Sequence, residues 1–197
     1  MNAAERDELD AGDMARLAGG NGAALNDLMD RHGEKLFHYL VRALQDEEDA
    51  GDLAQETFVR VYQNREKFDR RQSFSTWLYA IASNLVRDRY RWRRRHPQVS
   101  LEGEESDGEG GLKAGLVSEG EGPEERAQSD ERADAVRRAI GALPAELRQA
   151  LILSVYEELP QAEIATILKC SLKAVETRLY RARQQLRASL DEMARER

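Results

Sequence analysis

The sequence predicts an all-α protein of two small helical domains, an N-terminal bundle and a C-terminal helix-turn-helix domain, joined by a flexible acidic linker. Three observations predict it. Apolar residues recur at three- and four-residue steps along most of the chain, the period of a single helix face. Only four prolines and few β-branched runs occur, so little reads as strand. Residues 101–125 then break the periodicity with nine acids, seven glycines and one lysine, a self-repelling composition that cannot bury enough surface to fold by itself. The divisions that follow are a lead-in over 1–20, a helical domain over 21–96, the linker over 97–128 and a second helical domain over 129–194.

Composition narrows the function classes. Of the 197 residues 41% are hydrophobic and 34% charged, which suits small bundles with wet surfaces better than one large core. The net charge of −7 counts against a nucleic-acid partner until its distribution is seen, because acids concentrate in the linker and arginines in two short segments. Cys170 is the single cysteine, which excludes an internal disulfide and argues against a structural zinc site; it is expected to pack as a small apolar residue in a turn. No cofactor is expected. The N-terminus is acidic and lacks the apolar stretch of a signal peptide, and no segment nears the roughly 20 apolar residues of a membrane span. The expectation is a cytoplasmic protein without membrane insertion.

Residues 1–20 read as a short helix or a partly ordered lead-in. A helix is predicted from Ala23 to Leu44 with Leu25, Leu28, Met29, Leu36, Leu40, Val41 and Leu44 as its apolar positions. Asp46 caps the next, EEDAGDLAQETFVRVYQ, whose first-turn acids favour the helix dipole. Leu53, Phe58, Val59, Val61 and Tyr62 should bury there, with Asp49, Asp52, Gln55 and Glu56 largely on the other side. Gly51 inside this helix should cost about 1 kcal/mol relative to alanine.

After the turn NREKFDRRQ, Ser73 or Ser75 caps a helix over Phe74 to Arg95. Phe74, Trp77, Leu78, Ile81, Ala82, Leu85 and Val86 share one of its faces. Six arginines then fall within the nine residues 87–95: Arg87, Arg89, Arg91, Arg93, Arg94 and Arg95, with Tyr90 and Trp92 between them. Arginine grips phosphate and aromatic faces stack on unpaired bases, so this segment points to a nucleic acid rather than to a merely solvated helix end.

From Glu124 the helical pattern returns, with Ala133, Val136, Ile140 and Leu143 on one face. Pro144 stands in the first turn of the next helix. Pro160 opens QAEIATIL, KCS makes a tight turn, and Ser171 caps LKAVETRLYRARQQLRASL. This pair reads as a helix-turn-helix, with Ile164, Ile167 and Leu168 packing inward against Val175 and Leu179. The second helix carries Lys173, Arg178, Arg181, Arg183 and Arg187 outward, the polarity of a major-groove recognition helix.

The segments DEEDAGDLAQETFVRVY, FSTWLYAIASNLVRDRYR and LPQAEIATILKCSLKAVETRLYRARQQLR, in that order, resemble the bacterial extracytoplasmic-function (ECF) RNA polymerase sigma factors. The resemblance spans roughly 21–95 and 130–190. It implies a non-enzymatic, dissociable subunit that binds core RNA polymerase, recognises promoter DNA and directs transcription initiation. The first domain is then similar to sigma region 2, which docks on polymerase and captures the melted minus-ten strand. The second is similar to region 4, which reads the minus-thirty-five duplex.

Residue by residue, the resemblance assigns Asp49, Asp52, Leu53, Gln55, Glu56 and Phe58 to polymerase docking. It assigns Trp77, Asn84, Arg87, Arg89, Tyr90, Arg91, Trp92, Arg93 and Arg94 to minus-ten DNA. Ser171, Lys173, Glu176, Thr177, Arg178, Arg181 and Arg183 fall to minus-thirty-five DNA. An anti-sigma factor is an expected partner. Departures are Gly51 in place of the usual glutamate, Glu176 where many members carry a basic residue, and a long linker.

Two rival readings fit the sequence less well. An autonomous DNA-binding regulator leaves the acidic helix over 47–56 without a use. A metal-dependent phosphoesterase on Glu47, Glu48, Asp49, Asp52 and Glu56 lacks a nearby histidine, with His32, His38 and His96 scattered, and lacks a phosphate loop.

Overall fold

The computed structural model describes residues 3–96 and 123–195, and all its regular elements are helical. Eight α-helices occur among the described residues: α1 (Ala3–Ala18), α2 (Ala24–Leu44), α3 (Glu47–Gln63), α4 (Phe74–Arg95), α5 (Pro123–Ala142), α6 (Ala145–Val155), α7 (Gln161–Leu168) and α8 (Leu172–Arg195). The first four form the N-terminal bundle and the last four the helix-turn-helix half, so the all-α, two-domain architecture is observed. Most of the expected linker, residues 97–122, lies outside the described residues. Its last positions, 123–128, belong to α5.

α1 is more than a lead-in. Met14 and Leu17 are buried in the common core, and the fully buried Asp10 carboxylate accepts from Arg31 and pairs with His32 Nε2 at 2.8 Å. Asp13 accepts from Arg16 Nη2 at 2.5 Å and Arg31 Nη2 at 2.8 Å. Two buried carboxylates that would be costly alone are thereby matched by cations from α1 and α2. His32 also sets its ring edge-on to Phe74 at 5.0 Å, fixing α1, α2 and the start of α4 together.

Caps and turns follow local chemistry. Asp46 accepts from the Asp49 backbone amide at 2.9 Å and starts α3. Ser73 holds the N-cap position of α4, yet its hydroxyl meets Ser75 Oγ at 2.6 Å instead of a first-turn amide. Pro144 and Pro160 stand one residue before α6 and α7, as N-caps. Lys169 turns left-handed at φ 51°, and Ser171 Oγ accepts from the Ala174 amide at 3.2 Å to start α8.

Several burial expectations are corrected. In α3 the inward stripe runs Ala50, Leu53, Thr57, Phe58 and Val61, so Val59 and Tyr62 lie outside it, 46% and 44% exposed. In α2 the buried residues are Ala24, Leu28, His32, Leu36, Tyr39, Leu40, Ala43 and Leu44, while Met29 faces solvent. In α5, Ala135, Ala139 and Ile140 face α8, turning Ala133 and Val136 outward. Gly51 has open space where a Cβ would point, so no close approach demands it.

The two halves share one core. Ile152, Leu153, Ile164, Ile167 and Leu168 belong to the same buried cluster as Leu36, Tyr39, Leu78 and Val86. α6 packs on α2, and α7 packs on α4. A second, smaller cluster of Ile140, Leu143, Leu147, Leu151 and Ala182 ties α5 and α6 to α8.

Candidate nucleic-acid interface

Asp52 and Gln55 stand exposed on the outer face of α3, with Glu56 beside them bonding Arg60 Nε at 2.8 Å. Leu53 and Phe58 are only 5% and 4% exposed, so they hold the helix rather than present it. Asp49 departs further from expectation. It is buried, its carboxylate receiving Arg89 on one oxygen and Arg93 Nη2 at 2.5 Å on the other, with Arg93 also reaching Asp46 Oδ2 at 2.7 Å. The cap of α3 is therefore clamped to α4, and two arginines assigned to DNA are engaged inside the protein. This inward turn also dismantles the carboxylate set of the metal reading, and no metal-holding cluster occurs among the described residues.

Along α4 the assigned residues divide. Trp77 is half-buried, its ring 5.2 Å from that of Phe68, so it packs instead of offering a stacking face. Asn84 Oδ1 accepts from Arg87, whose guanidinium also approaches the Ser83 carbonyl at 3.3 Å and the Leu168 carbonyl at 3.4 Å. The Tyr90 hydroxyl, its pKa raised by burial, donates to the Ala43 carbonyl at 2.5 Å and is not a free platform either. Trp92 is 44% exposed and stacked on His96 at 4.8 Å. Arg91 pairs with Asp88 at the surface, while Arg94 and Arg95 have no partner among the described residues. Trp92 with Arg91, Arg94 and Arg95 is thus the exposed part of this segment.

Two open spaces flank α4. A groove of about 1060 Å³ runs between α3 and α4, bordered by Asp52, Gln55, Arg89 and Trp92. A cleft of about 960 Å³ lies between α4 and the C-terminal half, with Arg91, Arg93 and Arg94 on one wall and Glu146 and Lys169 on the other.

On α8 the residues assigned to duplex reading are mostly outward. Lys173 is exposed and bonds Glu176 at 3.1 Å, and Thr177 Oγ1 donates to the Lys173 carbonyl at 2.8 Å. Arg181 and Arg183 are exposed without a partner among the described residues. Arg178 is not free: it reaches Glu146 Oε2 at 2.9 Å and Cys170 Sγ at 3.5 Å, tying α8 to α6 and the turn. Tyr180, 62% exposed with its hydroxyl taking a bond from Gln184 Nε2 at 2.6 Å, shares the outer face. The sequence reading missed it, although it lies three residues beyond Thr177 on the same helical stripe.

The reading also missed Arg148, a buried guanidinium that donates to the carbonyls of Ala43 at 2.9 Å, Leu143 at 2.9 Å and Gly141, and to the Tyr90 hydroxyl at 2.9 Å. No periodicity marks it, because it sits among apolar residues of α6 at a position any buried residue could hold.

Comparison with known proteins agrees with this arrangement. Residues 28–96 match the family Sigma-70 region 2 and residues 133–186 match Sigma-70, region 4. The ECF RNA polymerase sigma factor SigW of Bacillus subtilis is 35% identical over 88% of this chain and 92% of its own length. The RNA polymerase sigma factor CnrH of Cupriavidus metallidurans is 34% identical over 97% of both chains. The structure of CnrH in complex with the cytosolic domain of CnrY superposes with a TM-score of 0.66 over 93% of this chain and 98% of that one. The sigma factor RpoE from Bartonella quintana, at 19% identity and a TM-score of 0.61, shares the fold.

The chain belongs to the extracytoplasmic-function RNA polymerase sigma factors, which bind core polymerase, recognise promoter DNA and direct the initiation of transcription. Among the described residues no helix is long and apolar enough to cross a membrane.

Proposed function

We propose that the three surfaces divide the work of a sigma factor between them. Asp52, Gln55 and Glu56 on α3 dock on core polymerase, where carboxylates and an amide meet basic groups of the partner. Trp92 with Arg91, Arg94 and Arg95 captures the melted minus-ten strand, the aromatic ring stacking on a base and the arginines holding phosphates. Lys173, Glu176, Thr177, Tyr180, Arg181 and Arg183 on α8 face the minus-thirty-five duplex. The chain catalyses nothing itself in this reading; the polymerase does the chemistry. The observation that supports it most is the segregation of charge, an outward acidic face on α3 beside an outward arginine-aromatic end on α4. CnrH was solved with the cytosolic domain of CnrY, and a comparable anti-sigma partner is proposed here.

Transcription from a pool of random promoter fragments by purified core polymerase, with and without this protein, tests the reading. Initiation that depends on the protein is expected, and the selected fragments define both promoter elements. Replacing Asp52 and Gln55 together by alanine should weaken polymerase binding roughly tenfold or more at unchanged helicity, the loss of about 1.4 kcal/mol that exposed polar contacts supply. Unchanged affinity would remove α3 from the docking surface.

A further inference from the structure

Most polar groups at the start of α8 are already spent on the fold. Ser171 Oγ accepts from the Ala174 amide at 3.2 Å, and the Thr177 hydroxyl gives its hydrogen to the Lys173 carbonyl at 2.8 Å. Arg178 is drawn aside to Glu146 Oε2 and Cys170 Sγ. Val175 and Leu179 are buried beneath the helix. Lys173 and Glu176 remain. Both are exposed, and each bonds the other, Lys173 Nζ donating to Glu176 Oε2 at 3.1 Å.

Each member keeps capacity after that bond. An ammonium has three donors and a carboxylate two accepting oxygens, so hydrogens remain on Nζ and Oε1 stays unengaged. The pair therefore presents a donor beside an acceptor near the N-terminus of α8, the part of a recognition helix that meets base edges in the major groove. A C·G base pair matches that order. Its groove edge shows the cytosine N4 amine on one side and guanine O6 and N7 on the other, with no acceptor beyond the amine. A carboxylate on that amine meets no lone pair on its outer side, while the ammonium covers the guanine acceptors. An A·T pair matches poorly. Its adenine amine lies between two acceptors, adenine N7 and thymine O4, so a carboxylate reaching it is set against a lone pair on either side. Glutamine suits adenine because its amide brings a donor together with an acceptor. The opposite charges of Lys173 and Glu176 also offset each other, which eases the approach of a carboxylate to a groove walled by phosphates.

We propose that Lys173 and Glu176 together read one C·G base pair of the minus-thirty-five duplex, Glu176 accepting from cytosine N4 and Lys173 donating to the guanine opposite. This inference rests on the placement of α8 against the duplex given above, and it adds which base pair the helix selects and which residues select it.

The test uses the full-length chain with purified core polymerase. A promoter selected by the parent chain is randomised across its minus-thirty-five element, and the fragments that initiate are sequenced. The parent should favour C·G at one position about tenfold or more over the other three pairs, the discrimination of a good side-chain contact to a base. Glu176→Gln should move the preference at that position toward adenine, and Glu176→Ala should abolish it. Lys173→Ala should weaken the preference at the same position, and all other positions should keep their bases. Both side chains are exposed, so the variants should fold, which circular dichroism checks. Retention of the C·G preference in both Glu176 variants would overturn the proposal. A uniform rise in initiation on every sequence would overturn it too, because the carboxylate would then only repel phosphate. Changes at two separate positions for Lys173→Ala and Glu176→Ala would show that the residues do not share one base pair. Error in the placement of α8 has a different signature: the parent chain would then show no preferred base anywhere in the randomised element.

Discussion

Asp13 is 6% exposed and lies between two guanidiniums, those of Arg16 and Arg31. Burial by itself would raise its pKa, but the hydrogen bonds and charges of Arg16 and Arg31 outweigh burial and hold the carboxyl below its ordinary value of 3.8. A carboxyl depressed in the folded state contributes stability that is present above the unfolded pKa and lost as pH falls through the folded one. Asp13→Asn is therefore expected to cost about 1–3 kcal/mol near neutrality, the range for a buried polar partner left unmatched. The gap between parent and variant should close as pH falls below about 4. Urea titrations at several pH values check this, and a gap constant down to pH 2 would show that the carboxylate charge is not its source.

The same scale shows where the sequence was and was not legible. Asp46 as a cap, Ser171 as a cap and Cys170 as a packed turn residue follow from local chemistry and are found as expected. Local sequence points Asp49 and Arg178 outward because polar side chains usually are, yet each meets an oppositely charged group far along the chain, Arg89 and Arg93 for one and Glu146 for the other. No window of local sequence contains those partners.

At the scale of elements, the helices were legible because their apolar period is local, whereas the width and rotation of each buried stripe depended on which neighbour each helix met. α3 illustrates this. Its inward face is narrowed by α4, which leaves Val59 and Tyr62 outside and draws Asp49 in. On α8 the distinction has a functional consequence. Arg181 projects freely and Arg178 is tied to Glu146, so the two should behave differently although both belong to one basic helix. Arg181→Ala is expected to weaken duplex binding and to reduce the slope of log affinity against log salt by about one, as for a lost phosphate contact. Arg178→Ala should instead loosen the attachment of α8 to α6 and leave that slope nearly unchanged. Fluorescence anisotropy on a labelled promoter duplex across a salt series separates them. A slope change for Arg178→Ala equal to that for Arg181→Ala would show that the Glu146 contact yields to DNA.

For the whole molecule, two domains were legible from two runs of helical period separated by an acidic stretch, but their docking was not. The contacts that join them pair residues such as Tyr79 with Glu157 and Ala43 with Arg148, apart in sequence and unremarkable in composition. A buried cluster shared by α2, α4, α6 and α7 predicts that the halves unfold together. Both tryptophans, Trp77 and Trp92, lie on α4, so fluorescence reports on the N-terminal half, while far-ultraviolet circular dichroism reports on every helix. The two thermal transitions should coincide in the parent chain. In Arg148→Gln, which removes a charge from two helix ends and one link between the halves, the dichroism transition should broaden toward lower temperature ahead of the fluorescence. Leaving buried carbonyls without their donor typically costs about 1–3 kcal/mol each, enough to uncouple a smaller half that depends on its neighbour for part of its core. Separate transitions already present in the parent chain would mean that the shared core contributes little, and that each half is stable by its own packing.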